Sequence, residues 1–220
     1  IGRTGLLASQ VGLEVTGNNL ANVATRGYHR QSAVLAPLSS QRIQSGTYLG
    51  KGVEIDRIVR HADEALEGRI RNSISDQAAA QAQHELLERV ESIQHELTDI
   101  DLSSQLNSFF NSWSELANKP LDNSVRTVVT QEGLSLAAAI KDLHTNLVEQ
   151  RSQTDDIIQD TVQTTNDLLT RIGQINIELV KTTQGSGGEH GLRDQRDALL
   201  TELSEFIDIS TVEHQNGAVD

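Results

Sequence analysis

The chain has 220 residues, a net charge of −13, no cysteine, and aromatic side chains at only 3% of positions. That leaves room for one or two domains, rules out disulfides and thiolate metal sites, and argues against a nucleic-acid partner, since an acidic chain lacks both the basic surface and the stacking aromatics such binding needs. No apolar run of about 18 residues occurs, so no ordinary membrane span and no membrane partner are expected.

The charge is unevenly spread: residues 1–60 carry seven Lys or Arg against three Asp or Glu, and the remainder carries 11 against 28. Most of it reads as solvated surface, with an added influence on how subunits orient. Nothing near Ile1 has the basic, apolar, small-residue order of a cleavable signal peptide, so composition alone would point to the cytoplasm.

The first predicted element is a helix through Leu6, Leu13 and Leu20, whose seven-residue spacing draws one narrow apolar stripe. Gln10, Thr16 or Gly17, and Val23 fall between them. Ala8, Ser9, Gly12, Gly17, Ala21 and Ala24 leave the rest of the surface small or polar. Gly12 and Gly17 each cost about 1 kcal/mol relative to Ala, so this helix needs packing to form and is expected to fold mainly on assembly. It should end near Ala24, in an Asn-rich turn where Gly27 is free to take positive φ. Asn18, Asn19 and Asn22 are expected to bond that turn through their own amides. Tyr28 either anchors it on a neighbour or packs beneath its own loop.

Residues 31–38 and 51–59 then alternate like strands, around a Ser/Gln/Gly segment over 39–50, and predict an extended connector or hairpin. A long helix follows from Ala62 or Asp63, with Asp63, Glu64 and Glu67 suited to its positive end. Its apolar positions Leu86, Val90, Ile93, Leu97 and Ile100 step by four and three, as in a coiled coil. Leu102, Leu106, Phe109 or Phe110, Trp113 and Leu116 make a shorter helix holding most of the aromatic mass. Pro120 breaks it. A helix of about 60 residues runs from Ser124 to Thr183, with Gly133 as its candidate interruption. Its seam includes Gln150, Thr154, Thr161 and Thr164, for which partial exposure is the favoured reading over a buried polar network. A glycine-rich loop over 184–191, a last helix through Leu192, Leu199, Leu203 and Phe206, and a strand over 209–212 complete the pattern.

The fold class is therefore mainly α: an elongated antiparallel helix bundle with coiled-coil-like packing and a small extended or β region near residues 31–60. The domains expected are an N-terminal helix and turn (1–30), the connector (31–61), the long-helix bundle (62–208) and the start of a β-rich region (209–220).

Catalytic and cofactor motifs fail on inspection. Gly185 to Gly191 has His190 where a dinucleotide fingerprint needs glycine and follows a helix rather than a strand. The seven histidines contain no metal-binding pair, and scattered surface positions explain them better. Asp194, Asp197, Glu202 and Glu205 sit beside Arg193 and Arg196, where capping and local ion pairs account for them. No cofactor, metal site or enzymatic activity is expected.

Asn18 to Tyr28, NNLANVATRGY, resembles the N-terminal signature of bacterial flagellar axial proteins, and the continuation through Arg30 and Gln31 is closest to the hook-associated family at the hook-filament junction. Tyr48 to Val53, followed by Arg57 to Arg60, is similar to that family's glycine-containing turn and strand, and Leu192 to Leu200 resembles a helix start late in its bundle domain. The resemblance spans essentially the whole chain. It implies export through a dedicated channel without a cleaved signal, an extracellular place in the flagellum, and a longer natural chain with a β-rich outer region and a C-terminal helix. It also implies an assembly interface at Leu6, Leu13, Asn18, Asn19, Leu20, Asn22, Tyr28, Arg30 and Gln31. The partners it implies are other copies of the chain, the hook protein, the second junction protein, and an export chaperone acting on the region beyond this chain. The rivals are a rod or hook subunit, which would turn to β structure soon after residue 60, and a helical signalling module, which would form a free dimer with an ordered first helix. An enzyme using Asp194 or Glu202 is the third alternative.

Overall fold

In the computed structural model, residues 1–44, 47–94, 101–182, 187–214 and 217–220 are described, with 42–44 and 47–48 described by backbone alone. Among them the order is α1 (Gly2–Ala21), β1 (Gln31–Pro37), β2 (Gln41–Gln44), β3 (Thr47–Leu49), β4 (Val53–Arg60), α2 (Glu64–Gln94), α3 (Leu102–Asn118), α4 (Asn123–Lys181) and α5 (Gly187–Leu203). The chain is mainly helical with a small antiparallel sheet. Leu97 and Ile100 of the heptad series, His95 and residues 184–186 lie outside the described residues. The chain divides into two compact units, Ile1–Asp76 with Thr164–Asp220, and Gln77–Gln163.

In the first unit β1 pairs antiparallel with β4, Gln31 opposite Arg60 and Pro37 opposite Val53, with a register shift between Val34 and Leu35. The expected hairpin is thus present, with β2 and β3 forming a second antiparallel pair within it. Helix α1 packs on β1 and β4. Its start is held by Gly52 at φ 109°, where a Cβ would overlap Thr4 Oγ1 and come within 3.3 Å of Ile1 Cα. The core is Leu168 and Ile172 of α4, Leu199, Leu200 and Leu203 of α5, and Val219. Asn176 fastens Val219 by a side-chain amide that donates to its carbonyl and accepts from its N–H, at 2.9 and 3.2 Å.

Two expectations in this unit are corrected. Residues 187–191 are the first turn of α5, not loop: Arg193 bonds back to Glu189, and His190 Nε2 lies 2.8 Å from the Ile58 carbonyl oxygen. Those contacts offset the glycine penalty of about 1 kcal/mol per residue. Residues 209–212 form no strand. Antiparallel pairing begins only at Val212, which exchanges backbone hydrogen bonds with Asp220 around Gly217.

The second unit contains α3 and the adjoining parts of α2 and α4. Asp101 caps α3 by accepting from Ser104 N at 2.6 Å, and hydrogen bonding from the Ser104 side chain, then from its backbone N–H, holds the carboxyl below the usual carboxylate range. Pro120 separates α3 from α4, and its carbonyl accepts from the Arg126 guanidinium. Gly133 does not interrupt α4: the Phe109 ring lies 3.3 Å from where its Cβ would be, so the glycine makes room for an aromatic. Phe109 is the half-buried member of its pair, edge-on to both Phe110 and Trp113. Gln150 is buried, with its Nε2 unpartnered, and Thr154 and Thr161 are half-buried while Thr164 is exposed. Partial exposure thus holds for the threonines, and Gln150 alone departs from it.

Candidate assembly interface

Helix α1 reverses the usual amphipathic arrangement. Its buried positions are the small Ala8 and Val15, whereas Leu6, Leu13 and Leu20 are 72%, 77% and 73% exposed. A 3.6-residue period puts Leu6 nearly opposite Ala8. The buried side of the helix carries Ala8 and Val15, and the leucines lie on the opposite side and point outward. Burying a leucine is worth about 1.5–3 kcal/mol, and three in line retain that free energy for another surface.

The base of α1 is locked to the sheet. Asn19 donates from Nδ2 to the Gln31 carbonyl and accepts at Oδ1 from the Gln31 N–H, both at 2.8 Å, so one side chain imitates a strand partner. The Tyr28 hydroxyl donates to the same Oδ1 at 2.8 Å. Burial, and then the negative charge of Asp194, push the Tyr28 phenol above its ordinary pKa. Asn22 Nδ2 donates to the carbonyl and Oδ1 of Asn18, and Thr25 Oγ1 donates to Asn22 Oδ1. Tyr28 therefore lies against its own turn, and the asparagines bond within it. Arg30 is exposed, while its carbonyl accepts from His61 N at 2.9 Å. Of the residues singled out from sequence, Asn19, Tyr28 and Gln31 are brought together, Asn18 and Asn22 form a second pair, and the leucines stand apart.

Gly27, at φ 81°, lets the turn pass close to α5, where its Cβ would lie 3.5 Å from Ala198. Beyond it, charge ties the turn and β4 to α5. Arg60 donates to Asp194 at 2.7 Å and to Asp197, and His29 Nδ1 lies 2.9 Å from Asp194 Oδ1. Arg196 continues the chain of charges to Asp197 and Glu213, and Arg193 joins Glu213 to Glu189. Burial disfavours the Arg193 charge, but the carboxylates Glu213 and Glu189 outweigh it and hold its pKa above the ordinary value.

This network corrects two readings. His29 and His190 are not scattered surface residues, and Asp194 serves a strand and a turn far away in sequence rather than a local cap. Periodicity cannot reveal a partner 134 residues distant. The available signal was that Arg60 and the Leu192–Leu200 stretch both fell in the segments carrying the family resemblance.

A leucine stripe left free on a helix whose base is bolted to its own domain defines a helical packing module. Residues 87–220 match the family described as "Flagellar hook-associated protein FlgK helical domain", and the chain belongs to that family. It is 29% identical to the Flagellar hook-associated protein 1 of Bacillus subtilis (strain 168), over 98% of this chain and 44% of that protein. It is 26% identical to the protein of that name from Salmonella typhimurium and 24% to that from Escherichia coli (strain K12), each over 97% of this chain and 39% of the relative. The chain thus spans less than half the length of these relatives.

Proposed function

We propose that this chain is the inner portion of a structural subunit at the hook-filament junction of the bacterial flagellum, exported by the flagellar type III route to the cell exterior. Residues 1–30 are its axial segment and the long helices its next shell outward. The carrying observation is the exposed Leu6, Leu13, Leu20 stripe on a helix anchored at its base, and the relatedness to flagellar hook-associated proteins supports the same reading. Other copies of the chain, the hook protein and the second junction protein are its partners, with Asn18, Asn22 and Arg30 at the edge of the same contact. An export chaperone engages the region beyond this chain. Catalysis has no part in this reading.

The test is the triple substitution Leu6→Ser, Leu13→Ser, Leu20→Ser in the full-length protein. The exposed stripe contributes little to the isolated fold, so the expected outcome is near-unchanged unfolding by urea together with hooks that carry no filament in electron micrographs. Normal filaments on cells with the triple variant would overturn the proposal.

A further inference from the structure

We infer that the groove between the start of α2 and α5 seats the β3–β4 turn of a second copy, with Leu49 on its floor and Lys51 on its acidic rim. The inference rests on the junction reading above. The groove has a volume of about 480 Å³. Ile70 and Ile74, one turn apart on α2, and Ala198 on α5 make its floor. Ile70 and Ala198 are exposed, and apolar surface of that kind gains free energy when it is covered.

The rim selects the charge of what covers it. Glu67, Asp197, Glu202 and Glu205 face the groove against Arg26 and His29. Glu67 already pairs with His29, and Asp197 with Arg60 and Arg196. Glu202 near the end of α5 and Glu205 just beyond it pair with no cation among the described residues. An apolar floor beside free carboxylates is complementary to an apolar side chain beside a cation.

The chain carries that combination itself. Leu49 is 54% exposed, and Lys51, two residues on, is exposed and pairs with no carboxylate among the described residues. Their turn is held in place: the Gly52 carbonyl accepts from Leu38 N at 3.0 Å, and Gly52 lies against Ile1 and Thr4. It belongs to residues 1–60, where Lys and Arg outnumber the acids by seven to three, against 11 to 28 in the rest.

The turn cannot reach the groove of its own chain. Arg60, at the far end of β4, is the residue that meets Asp197. Val53, where β4 leaves the turn, lies seven residues back along the strand, and an extended chain of that length spans roughly 23 Å. Turn and groove therefore meet between copies. They are different surfaces, so the contact is head-to-tail, and repetition gives a ring or a helical row rather than a closed dimer.

Because the chain has no cysteine, two introduced thiols report the contact. The test uses full-length protein with Gly50→Cys, where a side chain meets nothing within 4 Å, and Ala198→Cys, treated with a short bismaleimide in isolated hooks that carry filaments. The expected product is a ladder of dimers, trimers and longer oligomers of this chain, which neither substitution gives alone. Lys51→Glu should slow the cross-linking about fivefold, the scale of an exposed ion pair, and adding Glu202→Lys with Glu205→Lys should restore it.

The contact is overturned by incorporated protein that gives no ladder, by cross-links to a chain of different mass in its place, or by a Lys51→Glu rate that is unchanged or not restored. Each of those leaves the junction reading standing. Absence of the cysteine-free protein from such hooks overturns that reading, and this inference with it.

Discussion

Asn19 places three hydrogen bonds on one side chain, two to the Gln31 backbone and one to the Tyr28 hydroxyl. Gln31 is buried, so Asn19→Ala leaves its N–H and carbonyl without partners, at a cost of about 1–3 kcal/mol. Urea unfolding should show that loss, and Asn19→Asp should lose less because it keeps the acceptor. Tyr28 gives a pH signature. Its folded pKa is raised above the ordinary 10.0, so between the two values the folded state holds more protons than the unfolded one. Its contribution is full below pH 10.0 and disappears as pH climbs through the higher folded value. Alkaline absorbance titration should show a late-ionising phenol that Tyr28→Phe removes, with a flatter fall of stability in that window. The asparagine turn was legible in the sequence because Asn and Gly have local backbone chemistry. The partner of Asn19, twelve residues on, was not.

At the scale of elements, helix α1 is a compromise between its own stability and close approach. No atom beyond the helix lies within 4 Å of a Cβ built at Gly12 or Gly17. Gly17→Ala should therefore stabilise the isolated chain by about 1 kcal/mol, seen as greater hydrogen-exchange protection along Gly2–Ala21. Gly17 lies beside the leucine stripe, so where that stripe meets another helix in the proposed assembly the same substitution should lower incorporation into hook junctions. A gain in stability with undiminished incorporation would mean that no neighbour approaches there. Helix existence and order were readable from apolar periodicity throughout, and so was the break at Pro120. Two features failed for one reason: Gly133 and Gly187 both look like interruptions in one dimension. One accommodates Phe109, and the other opens a helical turn held by Glu189, His190 and Arg193.

At the scale of the molecule, the first unit joins the two ends of the described chain. The turn at Gly27 to Gln31 and strand β4 reach α5 through Asp194 and Asp197. Removing one member of a buried charge pair leaves the other uncompensated, and Asp194 has both Arg60 and His29 on it. Asp194→Asn should cost on the order of 3 kcal/mol, and the loss should depend little on added salt, since burial limits screening. Hydrogen exchange should quicken in α1 and β1 as well as in α5, because the lost contact joins them. Exchange confined to α5 would show that the N-terminal segment is held by Asn19 and the sheet alone.

The sequence by itself determined the mainly helical class, the hairpin between the first two helices, the leucine stripe and the flagellar resemblance, because periodicity, turn chemistry and short motifs are local properties of the chain. Tertiary structure alone decided that the leucines face outward, since this depends on which side of α1 packs against β1 and β4. It also decided that Arg60, His29, Asp194 and Asp197 form one network. Charges more than a hundred residues apart become partners only when packing removes the water between them and makes an unpaired ion costly.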